Sequence, residues 1–217
     1  MSKTILIVGA SRGIGLGLAK EFTSRGWNLV ATERSRSDEL HGVEGVEIAK
    51  LDVTDPSTFD SVDGAFDAVI INAGITGAKH QDSAQASRDE VADVMMTNAF
   101  GPAHLAKVLL PKIADGGTLA FMSSLMGSID DSSGGYELYR TSKTALNMLA
   151  KGIAEQDAGS RNIEVVALHP GWVQTDMGGP NATLTVDESV SGLADVIEGA
   201  GGGGFRYVDY SGKELAF

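Results

Sequence analysis

The chain has 217 residues, of which 42% are hydrophobic and 21% charged, the balance of an ordinary globular protein with one substantial core. Its formal charge of -12 matches the sign of nucleic acids and anionic membranes, which argues against general affinity for either and requires any anion site to be local. No apolar run approaches the roughly 20 residues of a membrane helix, there is no cysteine, and the four histidines, His41, His80, His104 and His169, are scattered without metal-ligand spacing. These features predict a single cytoplasmic domain over residues 1–217 that holds no metal and contacts neither membrane nor nucleic acid.

Short apolar strand candidates alternate with helical patterns along the chain. Thr4–Val8 reads as a strand, Ile14–Arg25 as a helix, Asn28–Thr32, Val46–Leu51 and Ala68–Ile71 as strands, and Arg88–Leu110 as a long helix. Thr118–Met122 is then a strand, Tyr139–Glu155 a helix, Glu164–Leu168 a strand, Val186–Glu198 a helix and Phe205–Val208 a last strand. Between Asp52 and Asp67 there is room for only a turn or two of helix, and Gly199–Gly204 reads as a flexible connection. Repeated strand-helix-strand order predicts an α/β fold, a single-domain Rossmann-like doubly wound parallel sheet with helices on both faces. Right-handed crossovers place every strand's C-terminal end on one edge, where ligands bind.

The first such end carries Val8-Gly9-Ala10-Ser11-Arg12-Gly13-Ile14-Gly15, with glycines spaced GxxxGxG ahead of an amphipathic helix. Glycines here allow a tight turn and close backbone approach to a pyrophosphate whose charge faces the helix N-terminus. The spacing differs from GxGxxG, and a purely structural turn is the alternative. Further polar groups fall at the ends of the next strands: Glu33 and Arg34, Asp52 and Val53, then Asn72, Ala73 and Gly74.

Tyr139 and Lys143 lie four residues apart, so one helical turn sets phenol and ammonium on the same face, with Ser123-Ser124 upstream at a strand end. Moving a tyrosine from about 10 to about 7 takes roughly 4 kcal/mol of differential stabilisation, which a lysine in a desolvated cleft beside a cationic nicotinamide could supply. A surface Tyr/Lys pair is the plain alternative. Asn98 sits inside an otherwise apolar helix, where a short amide is a poor helix former; a satisfied buried amide is its plain reading.

Taken in order, the GxxxGxG turn, Asn72-Ala73-Gly74, Asn98, Ser124, Tyr139-x-x-x-Lys143 and Pro170-Gly171 with Thr175 resemble the short-chain dehydrogenase/reductase family from end to end. Leu125–Ile129, Gly134–Tyr136, His169–Gly178 and Asp209–Leu215 further resemble its C-factor and sniffer-like carbonyl reductase branch. The resemblance implies Tyr139 as general acid, Ser124 as hydrogen-bond donor to the carbonyl oxygen with Ser123 as its nearest rival, and Lys143 lowering the phenol's pKa while holding the nicotinamide ribose. It implies that Asn98 bends its helix and holds a water that relays protons to Lys143. Thr175 and the backbone around Val173, following Pro170 and Gly171, would fix the carboxamide.

On the same resemblance, Arg12 and Arg34 could clamp a 2'-phosphate, whereas Glu33 falls where NAD-dependent members place an acid. Two guanidinium groups against one carboxylate favour NADP(H) and leave NAD(H) open. Only Gly179–Thr185 is available to build a lid, which predicts an open pocket, and Leu125, Met126, Tyr136, Trp172 and Met177 suit an uncharged small-molecule carbonyl substrate. The expected reaction is hydride transfer between NADP(H) and a small or medium hydrophobic carbonyl or alcohol. A dinucleotide-binding signalling protein with incidental turnover is the alternative, and a sugar epimerase a weaker one. Family analogy predicts a homodimer or homotetramer built on the Arg88–Leu110 and Tyr139–Glu155 helices.

Overall fold

The computed structural model describes residues 2–217. Seven parallel strands form one sheet in the order β3-β2-β1-β4-β5-β6-β7: β1 Thr4–Val8, β2 Asn28–Glu33, β3 Glu47–Lys50, β4 Phe66–Ile71, β5 Ile113–Met122, β6 Glu164–His169 and β7 Phe205–Asp209. The expected doubly wound sheet is therefore present. Side chains alternate along each strand, so β1 sends Ile5 and Ile7 into one core and Leu6 and Val8 into the other. The first core is covered by α1 (Gly13–Ser24) with Leu16, Leu18 and Phe22, by Leu40 of the short α2 (Asp38–His41), and by α6 (Val186–Glu198) with Val190 and Leu193. The second is covered by α4 (Gly101–Leu109) and α5 (Glu137–Ile153), through residues such as Leu105, Leu109, Leu146 and Ile153.

Several elements depart from the expected bounds. The helix expected over Arg88–Leu110 is α3 (Arg88–Met95), a π-helical turn at Met96–Phe100, and then α4. The strand expected at Thr118 begins at Ile113, because Asp115-Gly116-Gly117 does not break it; Ile113 pairs with Phe66, and the register shifts before Thr118 pairs with Ala68. The helix α2 has no counterpart in the sequence pattern, since four residues are too few to show a period. The narrow β3–β4 connection is a single 3-10 segment, Pro56–Ser61, started by Asp55 and anchored by buried Phe59.

The chain runs outward through β2 and β3 and returns to start β4 on the other side of β1. The reversal opens a crevice at the C-terminal ends of β1 and β4.

Candidate active site

Gly9 ends β1 with φ +83°, and a Cβ there would lie 2.9 Å from the Ala73 backbone. A Cβ at Gly15 would lie 2.1 Å from the Gly9 carbonyl oxygen and 2.7 Å from Nδ2 of Asn72, which donates to that same oxygen. Side chains at either position would displace the turn, so the glycines let the β1 end, the β4 end and the start of α1 meet. At that start, Arg12 is the N-cap residue without a side-chain acceptor, and the first turn, which holds Ile14, has no acid. The leading N–H groups of α1 thus face the crevice edge with no carboxylate or hydroxyl from the chain to accept from them. This uncapped, glycine-lined helix end fits the pyrophosphate of a dinucleotide.

The loop after β6 closes over the same turn. Pro170 is buried with its carbonyl accepting from Ser189, Gly171 has φ +82°, and Val173 bridges Leu184. The Thr175 methyl lies 3.4 Å from where a Gly13 Cβ would stand, and Asp176 pairs with Arg12 at 3.0 Å across the surface.

Around β2 the charges are arranged unequally. Glu33 is buried; Ser37 N–H and His41 Nε2 bind its two carboxylate oxygens at 2.6 and 2.9 Å. Burial pushes this carboxyl up, but the His41 and Ser37 hydrogen bonds outweigh it and hold the group below the usual carboxylate range. The Ser37 hydroxyl also donates to the Ser11 carbonyl, which ties α2 to the glycine turn. Arg34 is 71% exposed and only loosely paired with Asp52, at 3.9 Å. Asp52 is itself turned back to the Thr54 N–H and hydroxyl, and Val53 is buried.

Ser123 and Ser124, adjacent at the end of β5, face different partners. Ser123 donates its hydroxyl to Oδ1 of Asn147 at 2.6 Å, whereas the Ser124 hydroxyl accepts from Met126 N–H and lies near enough to the Tyr139 phenol to pull its pKa down. Of the two, Ser124 is the one that acts on the phenol. Lys143 is 3% exposed, donates to the Met122 carbonyl at 2.8 Å, and stands 5.6 Å from the Tyr139 ring centroid. Tyr136, the other tyrosine nearby, is 59% exposed in a left-handed turn that starts α5.

Asn98 lies in the π-helical turn, fully buried; its amide donates to Ile75 O and Ser142 Oγ, and its oxygen accepts from Ile75 N–H. A Cβ on Gly74 would lie 3.3 Å from Asn98 Oδ1 and 3.4 Å from Lys143 Nζ, so the two groups flank the same glycine. The bend expected at Asn98 coincides with the widened turn.

The phenol of Tyr139 is not made acidic by the protein's own groups: burial pushes it up to about 12, only partly opposed by Ser124. Burial also lowers Lys143 to about 8, since desolvation disfavours its charged form.

Gln81, which sequence reasoning misses, supports the helix that carries Tyr139. This buried residue, at φ +55°, accepts the Tyr139 N–H on its side chain and the Glu137 N–H on its carbonyl, closing the start of α5 from the loop after β4. No local pattern announces such a cap, because it comes from a distant part of the chain.

The model of short chain dehydrogenases matches residues 3–183. The chain belongs to the short-chain dehydrogenase family. It is 38% identical over 156 residues to the C-signal of Myxococcus xanthus, covering 70% of this chain and 93% of that one. A short-chain dehydrogenase/reductase from Burkholderia multivorans, with NADP bound, superposes at TM-score 0.94 with 37% identity over the whole of both chains. Carbonyl reductase Sniffer of Drosophila melanogaster does so at 0.89 with 31% identity, again over the whole of both. This short-chain dehydrogenase is thus an NAD(P)-dependent oxidoreductase of the C-factor and sniffer-like branch. No helix among the described residues is long and apolar enough to cross a membrane.

Proposed function

We propose that the protein is an NADP(H)-dependent carbonyl reductase acting on uncharged aldehydes and ketones of small to medium size. The observation that carries this reading is the convergence of Ser124, Tyr139 and Lys143 at the crevice edge that also holds the uncapped, glycine-lined start of α1. When bound, the nicotinamide supplies the hydride. Tyr139 gives its phenolic proton to the carbonyl oxygen as negative charge develops there, and Ser124 shares that oxygen by hydrogen bond. Lys143 sets a cation one turn along α5 and holds the ribose hydroxyls. Asn98 maintains the widened turn beside Gly74 and keeps its oxygen close to the lysine.

Three features support the cofactor and substrate class. The carboxylate that would favour NAD, Glu33, is engaged by Ser37 and His41, while Arg34 is exposed with only a loose partner and Arg12, exposed and paired with Asp176 at the surface, can exchange that contact for a 2'-phosphate. The NADP-bound Burkholderia relative supports the same choice. The 172–184 segment folds back on itself through Leu184 N–H to Trp172 O and Gln174 N–H to Leu184 O, leaving Trp172, Met177 and Tyr136 half exposed at the rim, where apolar substrates would contact them. Val91, Met96 and Phe100 around α3, and Met148 on α5, are exposed apolar groups that support self-association through these helices; light scattering should show a dimer or tetramer.

The test is NADPH consumption with aliphatic and aromatic aldehydes, diketones and quinones beside sugar phosphates. Turnover confined to the uncharged carbonyls is expected. NADPH binding without turnover on any carbonyl would instead support a dinucleotide-binding signalling protein.

A further inference from the structure

Behind Ser124 lies a second set of buried polar contacts that the chemistry above does not use. Ser123 Oγ donates to Oδ1 of Asn147 at 2.6 Å, the Asn147 amide donates to the Gly127 carbonyl at 3.5 Å, and the Tyr207 hydroxyl donates to the main-chain carbonyl of Ser124. The directions follow from the groups: carbonyl oxygens only accept, so the single Tyr207 proton goes to Ser124. All four residues are buried, at 2% exposure for Ser123, 9% for Ser124, and 3% each for Asn147 and Tyr207. Two buried contacts on adjacent residues hold the serine pair tightly, because losing either leaves an unpaired polar group in a dry interior.

The two contacts join three elements. Ser123 and Ser124 end β5, Tyr207 lies on β7, and Asn147 lies on α5 one turn beyond Lys143, which is one turn beyond Tyr139. The helix face that presents the phenol and the ammonium therefore also grips the serine pair from behind. The Tyr207 ring is held in turn by Phe217, 5.5 Å between centroids, and the Phe217 carbonyl accepts the N–H of Asp130, beyond the same serine loop.

We propose that Asn147 and Tyr207 are positioning residues that set the Ser123–Ser124 main chain so that the Ser124 hydroxyl meets the Tyr139 phenol. The inference rests on the roles proposed above for Ser124 and Tyr139. The variant Tyr207→Phe keeps the ring and its packing and removes only the hydroxyl.

With saturating NADPH and an aromatic diketone, Tyr207→Phe should lower kcat about tenfold and leave the NADPH dissociation constant unchanged. In a Ser124→Ala background it should change kcat little, because Tyr207 acts through Ser124. An unchanged kcat in the single variant, or an equal further loss in the Ser124→Ala background, would overturn the proposal. If Tyr207→Phe does not fold, Asn147→Ala enters the same cycle with the same expected outcomes.

A readout without substrate separates this proposal from the reductase reading. With the tyrosine Cζ carbons labelled, the nuclear magnetic resonance signal of Tyr139, assigned by its loss in Tyr139→Phe, should move in Tyr207→Phe. A stationary Tyr139 signal contradicts the positioning role even if the wild type turns over no carbonyl.

Discussion

The N-termini of α1 and α6 lie side by side, close enough that a Cβ at Gly17 would come within 2.5 Å of Val186, yet they are finished in opposite ways. At α6 the Thr185 hydroxyl accepts the Glu188 N–H, and the Glu188 carboxylate accepts the Thr185 N–H and hydroxyl, with Asp187 adding a second acid to the first turn. At α1 there is no side-chain cap and no acid. The α3 start repeats the closed form with Ser87 and Glu90. A helix end that the chain satisfies itself contributes to stability alone, whereas one left open at the sheet edge keeps its donors for an anion. The buried Lys143 ammonium follows the second pattern, held at a cost in the fold for use in the site.

That contrast can be broken experimentally, most severely at the glycine turn. Gly15→Ala would force a Cβ into the Gly9 carbonyl, so NADPH binding should be lost and stability should fall by about 2 kcal/mol; fluorescence titration and urea unfolding report the two effects. Lys143→Met should act in the opposite sense on stability while removing turnover. Burial lowers the lysine from 10.5 to about 8, so below pH 8 the native state carries the whole cost of a desolvated ammonium. The variant should then gain about 2 kcal/mol at pH 7 once the lost Met122 hydrogen bond is counted. The gain should fade as pH rises from about 8 toward 10.5, where the wild-type lysine loses its charge in both states, and urea midpoints at pH 7 and pH 10 check it. Arg34→Ala should weaken NADPH about tenfold and spare NADH, measured by paired titrations. The mildest change lies at the closed helix end: Thr185→Ala should lower stability by about 1 kcal/mol and leave NADPH affinity unaltered.

The parts of the molecule legible in the sequence are those written in short spacings. The strand-helix alternation, the glycine turn, and Tyr139 one turn from Lys143 need only local periods, and the sheet and its open edge follow from them. What stays hidden depends on partners brought from afar or on burial. Nothing near Ser123 and Ser124 tells which faces the phenol, because Asn147, which takes up Ser123, arrives on α5. The engagement of Glu33 needs α2, too short to leave a periodic trace. The strand through Gly116 and Gly117 looks like a turn because its bulge is supported by pairing with β4. The phenol's upward shift cannot be read from a Tyr/Lys spacing, since desolvation outweighs the neighbouring groups there and spacing carries no information on burial.

The most direct measurement is the steady-state rate of NADPH oxidation by Tyr139→Phe on a carbonyl that the wild type reduces, with NADPH binding followed in parallel. Loss of the phenolic proton should cut kcat by about a thousandfold while the variant still binds NADPH. Retention of the wild-type kcat in the absence of the phenol would contradict the assignment of Tyr139 as the proton donor.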